Sequence, residues 1–198
     1  MKQRPIIFNT EMVQAILDGR KTQTRRPVNP ALVQSERLPL ETSKGIFKFW
    51  CSDEVSSPFG SVGDQLWVRE TWRRFNSSDE CGCSESPCSC PSNGTVLFKA
   101  SHDDGESKWK PSIHMPRWAA RIILEITDVR VERLSDISEQ DAKAEGFDYP
   151  AVPDMGWWKF NARHNFLVEW DLIYGNRSSN PWVWVIEFKV ISTSGGEA

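Results

Sequence analysis

The run 121–134 restricts the fold of this chain more than any other: Ile122, Leu124 and Ile126 alternate there with Ile123, Glu125 and Thr127. Successive side chains on a strand point to opposite faces, so this period of two demands a sheet, with the run as a central strand. A second alternation sets Trp182, Trp184, Ile186, Phe188 and Val190 against Val183, Val185, Glu187 and Lys189, and predicts a half-buried strand closing that sheet. Shorter strands are expected at 66–72, after the turn signal Gly63-Asp64, and at 96–100. Met12, Val13, Ile16 and Leu17 recur at helical spacing behind Asn9 or Thr10 as N-cap, and Gly19 stands where a left-handed residue ends a helix. Ser138-Glu139-Gln140-Asp141 opens a capped helix that finishes at Glu145 before Gly146. Phe160, Phe166, Leu167, Trp170 and Ile173 mark a longer scaffold helix stopped by Gly175. Segment 28–58, broken by Pro30, Pro39 and Pro58, reads as loop with one short strand at most near Phe47, Phe49 and Trp50. Segment 148–158, with Pro150, Pro153 and Gly156, reads as loop, and the tail after the last strand as disordered.

At 198 residues the chain can bury a sizeable core, and it reads as a single domain, 1–198, with insertions at about 29–58 and 76–95. A formal net charge of −3 argues against a bulk clamp on duplex nucleic acid, which needs many cations on phosphates. No apolar run is long enough to span a membrane and no signal-peptide core is present, so the chain reads as cytoplasmic. Ten tryptophans exceed ordinary usage; most are expected in the core, with a few left to stack on bases.

The densest chemistry lies in Gly19-Arg20-Lys21-Thr22-Gln23-Thr24-Arg25-Arg26, which starts where the first helix stops and continues with the period of a strand. Arg20, Arg25 and Arg26 surround Lys21 with like charge, which disfavours its protonated form and brings it nearer to working as a base. Thr24 is a nucleophile only if such a base takes its proton. The bland alternative is a solvated basic surface. Lys21 and Thr24 are three apart, on opposite faces of an ideal strand, so they meet only if Lys21 still belongs to the turn after Gly19. Glu145, at a helix C-terminus, is disfavoured by the helix dipole and is either exposed or held by cations. Arg69 and Glu70 point to opposite faces of their strand, exposed or paired, and neither is assigned to catalysis.

Cys81, Cys83, Cys88 and Cys90 fall within ten residues. Four thiolates suit a structural zinc with no open position for water, although the C-x-C spacing is less diagnostic than C-x-x-C. An unliganded insertion and disulfides stay open beside it, and Cys51 reads as a core or surface thiol. In the aromatic, basic tract 109–118, Trp109 and Trp118 offer faces for stacking, while Lys110 and Arg117 offer phosphate contacts. The plain reading is that these tryptophans are core and that His114 makes a structural hydrogen bond.

The Gly19 to Arg26 tract resembles the signature of the activating signal cointegrator homology (ASCH) domain family. So do Phe59-Gly60-Ser61-Val62-Gly63-Asp64-Gln65-Leu66-Trp67-Val68-Arg69-Glu70-Thr71-Trp72, His114-Met115-Pro116-Arg117-Trp118-Ala119-Ala120-Arg121 and Glu145-Gly146-Phe147, which look like its longer, prophage-borne members. That resemblance covers about two-thirds of the chain and implies an α+β, PUA-like fold. This is a small, mixed, partly open β-barrel of five to seven strands with flanking helices and a Cys-rich insertion. It implies RNA or modified nucleosides as partners. Similarity to bacterial ASCH amidohydrolases implies Thr24 as nucleophile, Lys21 as its base and Glu145 holding Lys21 or the substrate amine. These enzymes remove an acyl group from the exocyclic amine of acetylcytidine and need no catalytic cofactor. Arg20, Arg25, Arg26, Arg69, Trp109, Arg117 and Trp118 would contact the nucleoside or single-stranded RNA. The other hypothesis is a module that binds RNA or a modified nucleobase without chemistry, or a weak ribonuclease.

Overall fold

The computed structural model describes residues 1–32, 39–43, 45–48, 54–82, 88–147 and 161–193. The readings made for Phe49, Trp50, Cys51, Cys83, the 148–158 loop, Phe160 and the tail beyond 193 lie outside them. In chain order the strands are β1 (Gln3–Ile7), β2 (Gln23–Pro27), β3 (Leu40–Ser43), β4 (Ile46–Lys48), β5 (Glu54–Ser56), β6 (Gln65–Arg69), β7 (Trp72–Arg74), β8 (Val96–Phe98), β9 (Ile123–Arg133) and β10 (Trp182–Ser192). The helices are α1 (Thr10–Leu17), α2 (Ser77–Glu80), α3 (Lys99–His102), α4 (Glu139–Ala144) and α5 (Ala162–Tyr174). The fold is α+β, as expected.

The main sheet has the order β1-β6-β9-β10-β2, with β9 at its centre. β1 runs parallel to β6, and every other pairing is antiparallel. Leu124, Ile126, Val129 and Val131 of β9 pack with Trp182, Trp184 and Ile186 of β10 and with Ile6, Phe8, Val13 and Ile16. Each such side chain contributes roughly 1.5–3 kcal/mol by leaving water. Val183 and Val185 face a second cluster built on Phe166, Leu167 and Trp170 of α5. β10 is therefore buried on both faces over Trp182 to Ile186, not half-buried as its alternation suggested, because α5 covers the second face.

Among the described residues no ladder joins the edge strands β1 and β2, so the sheet curls without closing. Arg26 crosses the gap: its guanidinium donates to Ile7 O at 2.6 Å and lies 5.3 Å from the Phe8 ring centre. α1 fills the same opening, burying Val13, Ala15 and Ile16. Three local expectations need correction, the first being the strand expected at 96–100, which ends at Phe98 where Lys99 and Ala100 begin α3. Segment 28–58 carries the three-stranded sheet β3-β4-β5, whose Phe47 packs edge-on against Trp184 at 5.3 Å. Its strands are only three or four residues long, too short to register as periodicity between prolines. The run 66–72 splits into β6 and β7 around Glu70, which is 1% exposed and accepts two hydrogen bonds from Arg121, each 2.9 Å. No described helix is long and apolar enough to cross a membrane.

Candidate active site around Lys21 and Glu145

Asn9 caps α1 by accepting from Met12 N at 2.8 Å. Gly19 adopts φ +73°, a left-handed turn open to glycine, and returns the chain so that Arg20 N and Lys21 N both donate to Ala15 O at 2.9 Å. Lys21 then pairs with Glu145 as an isolated antiparallel bridge, and Thr22 N donates to Ala144 O at 2.8 Å. Lys21 thus precedes β2 instead of belonging to it. Ser138 and Asp141 form the capping box of α4, and Glu145 is its C-cap. Gly146 follows with φ +99°, and a Cβ there would stand 2.9 Å from the Ala15 Cβ and 3.3 Å from the Lys21 Cβ. The absence of that atom lets α1, the Lys21 turn and the end of α4 meet.

Lys21 is 1% exposed, and its Nζ donates to Glu145 Oε2 at 2.8 Å and to Glu145 O at 2.9 Å. Arg25 donates to the other carboxylate oxygen at 3.3 Å and to Glu132 Oε2 at 3.0 Å. Two cations therefore hold Glu145 against the unfavourable helix dipole. Gln23 donates to the Asp141 backbone carbonyl at 2.8 Å, and Arg130 ties Glu132, Asp128 and Glu187 together. Burial lowers the Lys21 pKa, Glu145 opposes that shift, and Arg26 and Arg25 reinforce it. The sequence reading named the arginines as the cause; the larger one is loss of water, because desolvation penalises the charged amine.

Lys21 Nζ and the Arg26 guanidinium lie 5.5 and 5.3 Å from the same Phe8 ring centre. Lys21 also shares the Glu145 carboxylate with Arg25, which alternation places on the opposite face of β2 from Thr24 and Arg26. Lys21 sits in the turn, the condition for reaching Thr24 across the three-residue spacing. Neither hydrogen bond of Nζ goes to Thr24.

Glu145 borders two cavities. A cleft of about 420 Å³ is lined also by Asn9, Glu11, Gln14, Arg20, Phe147 and Glu169. A pocket of about 20 Å³ adjoins Thr24, Arg26, Phe166 and Tyr174. Lys21 lines neither, so Glu145 stands between it and the cleft. Of the three arginines expected to meet a ligand, Arg20 faces the cleft, although it also holds Asp18 at 2.8 Å and Gly146 O at 3.0 Å. Arg25 is 3% exposed and engaged with carboxylates. Arg26 is occupied by Tyr174 Oη at 3.2 Å and by Ile7 O.

The remaining predicted contacts lie elsewhere, for no residue of 69–118 lines either cavity. Arg69 donates to Ser112 O and Ile113 O, which fixes a loop. Arg117 donates to Gln3 Oε1. Trp109 is half-buried beneath Arg73, with 5.2 Å from guanidinium to ring centre. Trp118 is 48% exposed, with Arg74 at 4.6 Å from its ring centre and Trp72 edge-on at 5.8 Å. Sequence reasoning passed over Glu132, Asp141, Arg130 and Gln23. The stripe Asp128-x-Arg130-x-Glu132 on one face of β9 was a usable signal; nothing flagged Glu169 or Asn9 as cleft residues.

Cys81, Cys88 and Cys90 place their sulfurs within 4.8 Å of one another, an arrangement able to bind a metal ion.

No protein-family model and no curated protein matches the chain. Two solved structures do. A crystal structure of an Enterococcus faecalis protein described under the family DUF984 is 15% identical, covering 100% of this chain and 86% of its own, with a TM-score of 0.40. The ASCH domain from Lactobacillus crispatus is 16% identical, covering 96% of this chain and 80% of its own, again with a TM-score of 0.40. The second carries the name of the family whose motifs this sequence resembles.

Proposed function

We propose that the protein hydrolyses an acyl amide on the exocyclic amine of a cytidine-type nucleoside bound beside Glu145. The observation that carries this reading is the buried Lys21–Glu145 pair, 2.8 Å apart, in which Glu145 also walls both the cleft and the pocket at Thr24. A cleft of about 420 Å³ falls within the range that holds small ligands. Its carboxylates and amides suit the edge of a base, while Met12 and Phe147 give it apolar wall.

Burial keeps Lys21 neutral for more of the time than a solvated lysine, which a base for threonine requires. Thr24 is 2% exposed and borders only the small pocket, so this step requires the acyl group to open that pocket; Thr24 Oγ1 then bonds to the acyl carbon as its proton passes to Lys21, once substrate has drawn Nζ from one of its two acceptors. That proton crosses the Lys21–Glu145 hydrogen bond to the departing amine, and the C–N bond breaks. Water then cleaves the ester, giving the carboxylic acid and restoring Thr24.

Chromatography of acetylcytidine incubated with the protein tests this: wild type releases cytidine. Thr24→Val, which keeps shape and burial, lowers release by roughly a hundredfold or more. Absence of release by wild type rejects the hydrolase. A second reading rests on the exposed Trp118 face with Arg74 against it and Lys110 beside Trp72, a surface suited to stacking single-stranded RNA without chemistry. It predicts salt-dependent RNA binding that Trp118→Ala weakens.

A further inference from the structure

The connection 75–95 between β7 and β8 is closed in steps. At its neck, Phe75 N donates to Thr95 O and Gly94 N to Phe75 O, both at 2.8 Å. Further out, Ser77 N donates to Asn93 Oδ1 at 3.2 Å. Beyond that rung, Cys81 at the C-cap of α2 brings its sulfur to 3.5 Å from that of Cys88. The Cys90 sulfur completes a triangle within 4.8 Å. Yet no described residue of 76–95 is buried, so no apolar packing accounts for this convergence.

A metal ion accounts for it. Sulfurs bound tetrahedrally to zinc at about 2.3 Å stand about 3.8 Å apart, close to the Cys81–Cys88 separation. A disulfide would join only two of the three sulfurs, whereas one ion engages all three. Cys90 N also donates to Cys88 Sγ at 3.4 Å, which ties the two residues together. Soft thiolate donors in a trio select zinc over the hard cations Mg²⁺ and Ca²⁺.

We propose that Cys81, Cys88 and Cys90 bind one Zn²⁺, and that this ion, in place of a hydrophobic core, orders the β7–β8 connection. Three sulfurs leave the fourth position of the ion to a further ligand, and the role is structural: the ion ties the end of α2 to the segment before β8. The same α2 supplies Glu80, whose carboxylate pairs with Arg73, and Arg73 lies over the Trp109 ring. Zinc thereby steadies one side of the aromatic and basic surface. The inference does not depend on the hydrolase reading, whose residues lie on other segments.

The test is metal analysis of protein purified under reducing conditions without added metal, repeated after chelation and titration with zinc chloride. Wild type carries or takes up about one zinc per chain. Cys88→Ser loses it, while its thermal midpoint stays near that of wild type because the neck is held by backbone bonds. Limited proteolysis within 76–95 speeds up in both Cys88→Ser and chelated wild type. Three results would each overturn the proposal: no zinc uptake by reduced wild type, undiminished zinc in Cys88→Ser/Cys90→Ser, or proteolysis indifferent to zinc.

Discussion

Replacing Glu145 by glutamine keeps the size of the side chain and removes its charge, leaving Lys21 buried with Glu145 O and a neutral amide as acceptors. Arg25 keeps Glu132 at 3.0 Å, so the loss falls mainly on Lys21. Breaking one side of a buried ion pair costs about 3–5 kcal/mol. Lys21 can limit that loss by giving up its proton. Relative to its ordinary value of 10.5, this costs ~1.4 kcal/mol per pH unit, or about 5 kcal/mol near pH 7 and about 2 kcal/mol near pH 9. The sign follows from proton counting. With the folded pKa below 10.5, the unfolded chain binds more protons in that window, so stability rises with pH and falls as pH drops. Urea unfolding of Glu145→Gln should therefore gain more stability from about pH 7 to 9 than Lys21→Met/Glu145→Gln, which lacks both groups, by at most ~3 kcal/mol, the limit for one proton over two pH units. The two single substitutions should also cost more than the double, with a coupling of about 1–3 kcal/mol. Parallel pH profiles for the single and double variants, or strictly additive costs, would mean that Lys21 and Glu145 are not coupled.

Gly146→Ala places a Cβ 2.9 Å from the Ala15 Cβ at φ +99°, so it should cost about 1–3 kcal/mol in thermal or urea unfolding and lower acetylcytidine turnover with it. Arg121→Met strands the buried Glu70, which should cost about 3–5 kcal/mol near neutral pH. Burial already raises the Glu70 pKa, against the pull of Arg121, so the folded state binds the extra proton. The deficit should shrink as pH falls from about 7 to 5, and unfolding curves at the two values check this. Trp118→Ala, at an exposed ring, should change stability by less than about 1 kcal/mol, measured by the same unfolding assay.

The long elements were legible because each carries its period over many residues. β9 announced itself through Ile122, Leu124 and Ile126, and α5 through Phe166, Leu167 and Trp170 with Gly175 in the left-handed conformation behind it. The capping box at Ser138 and the turn at Gly19 were legible for a different reason, since each depends on a local hydrogen bond or a φ value that few residues satisfy. The small sheet β3-β4-β5 was hidden because three residues make no alternation, and what stabilises it, Phe47 on Trp184, is a contact across distant sequence. At the site, the Lys21–Glu145 pair could be anticipated from a carboxylate set against a helix dipole. The depth of its burial could not, because it depends on α1, β2 and α4 meeting at Gly146. Arg25 and Arg26 looked like ligand contacts for the same reason: a sequence shows a guanidinium, but not the Glu132 or the Ile7 carbonyl that engages it.

The most direct measurement of the central claim is a crystal soaked with cytidine, the expected product. The base is expected in the cleft, its exocyclic amine within hydrogen-bond reach of Glu145 and its plane near Phe147 and Met12. Cytidine stacked on Trp118, with the Glu145 cleft empty, would contradict that claim.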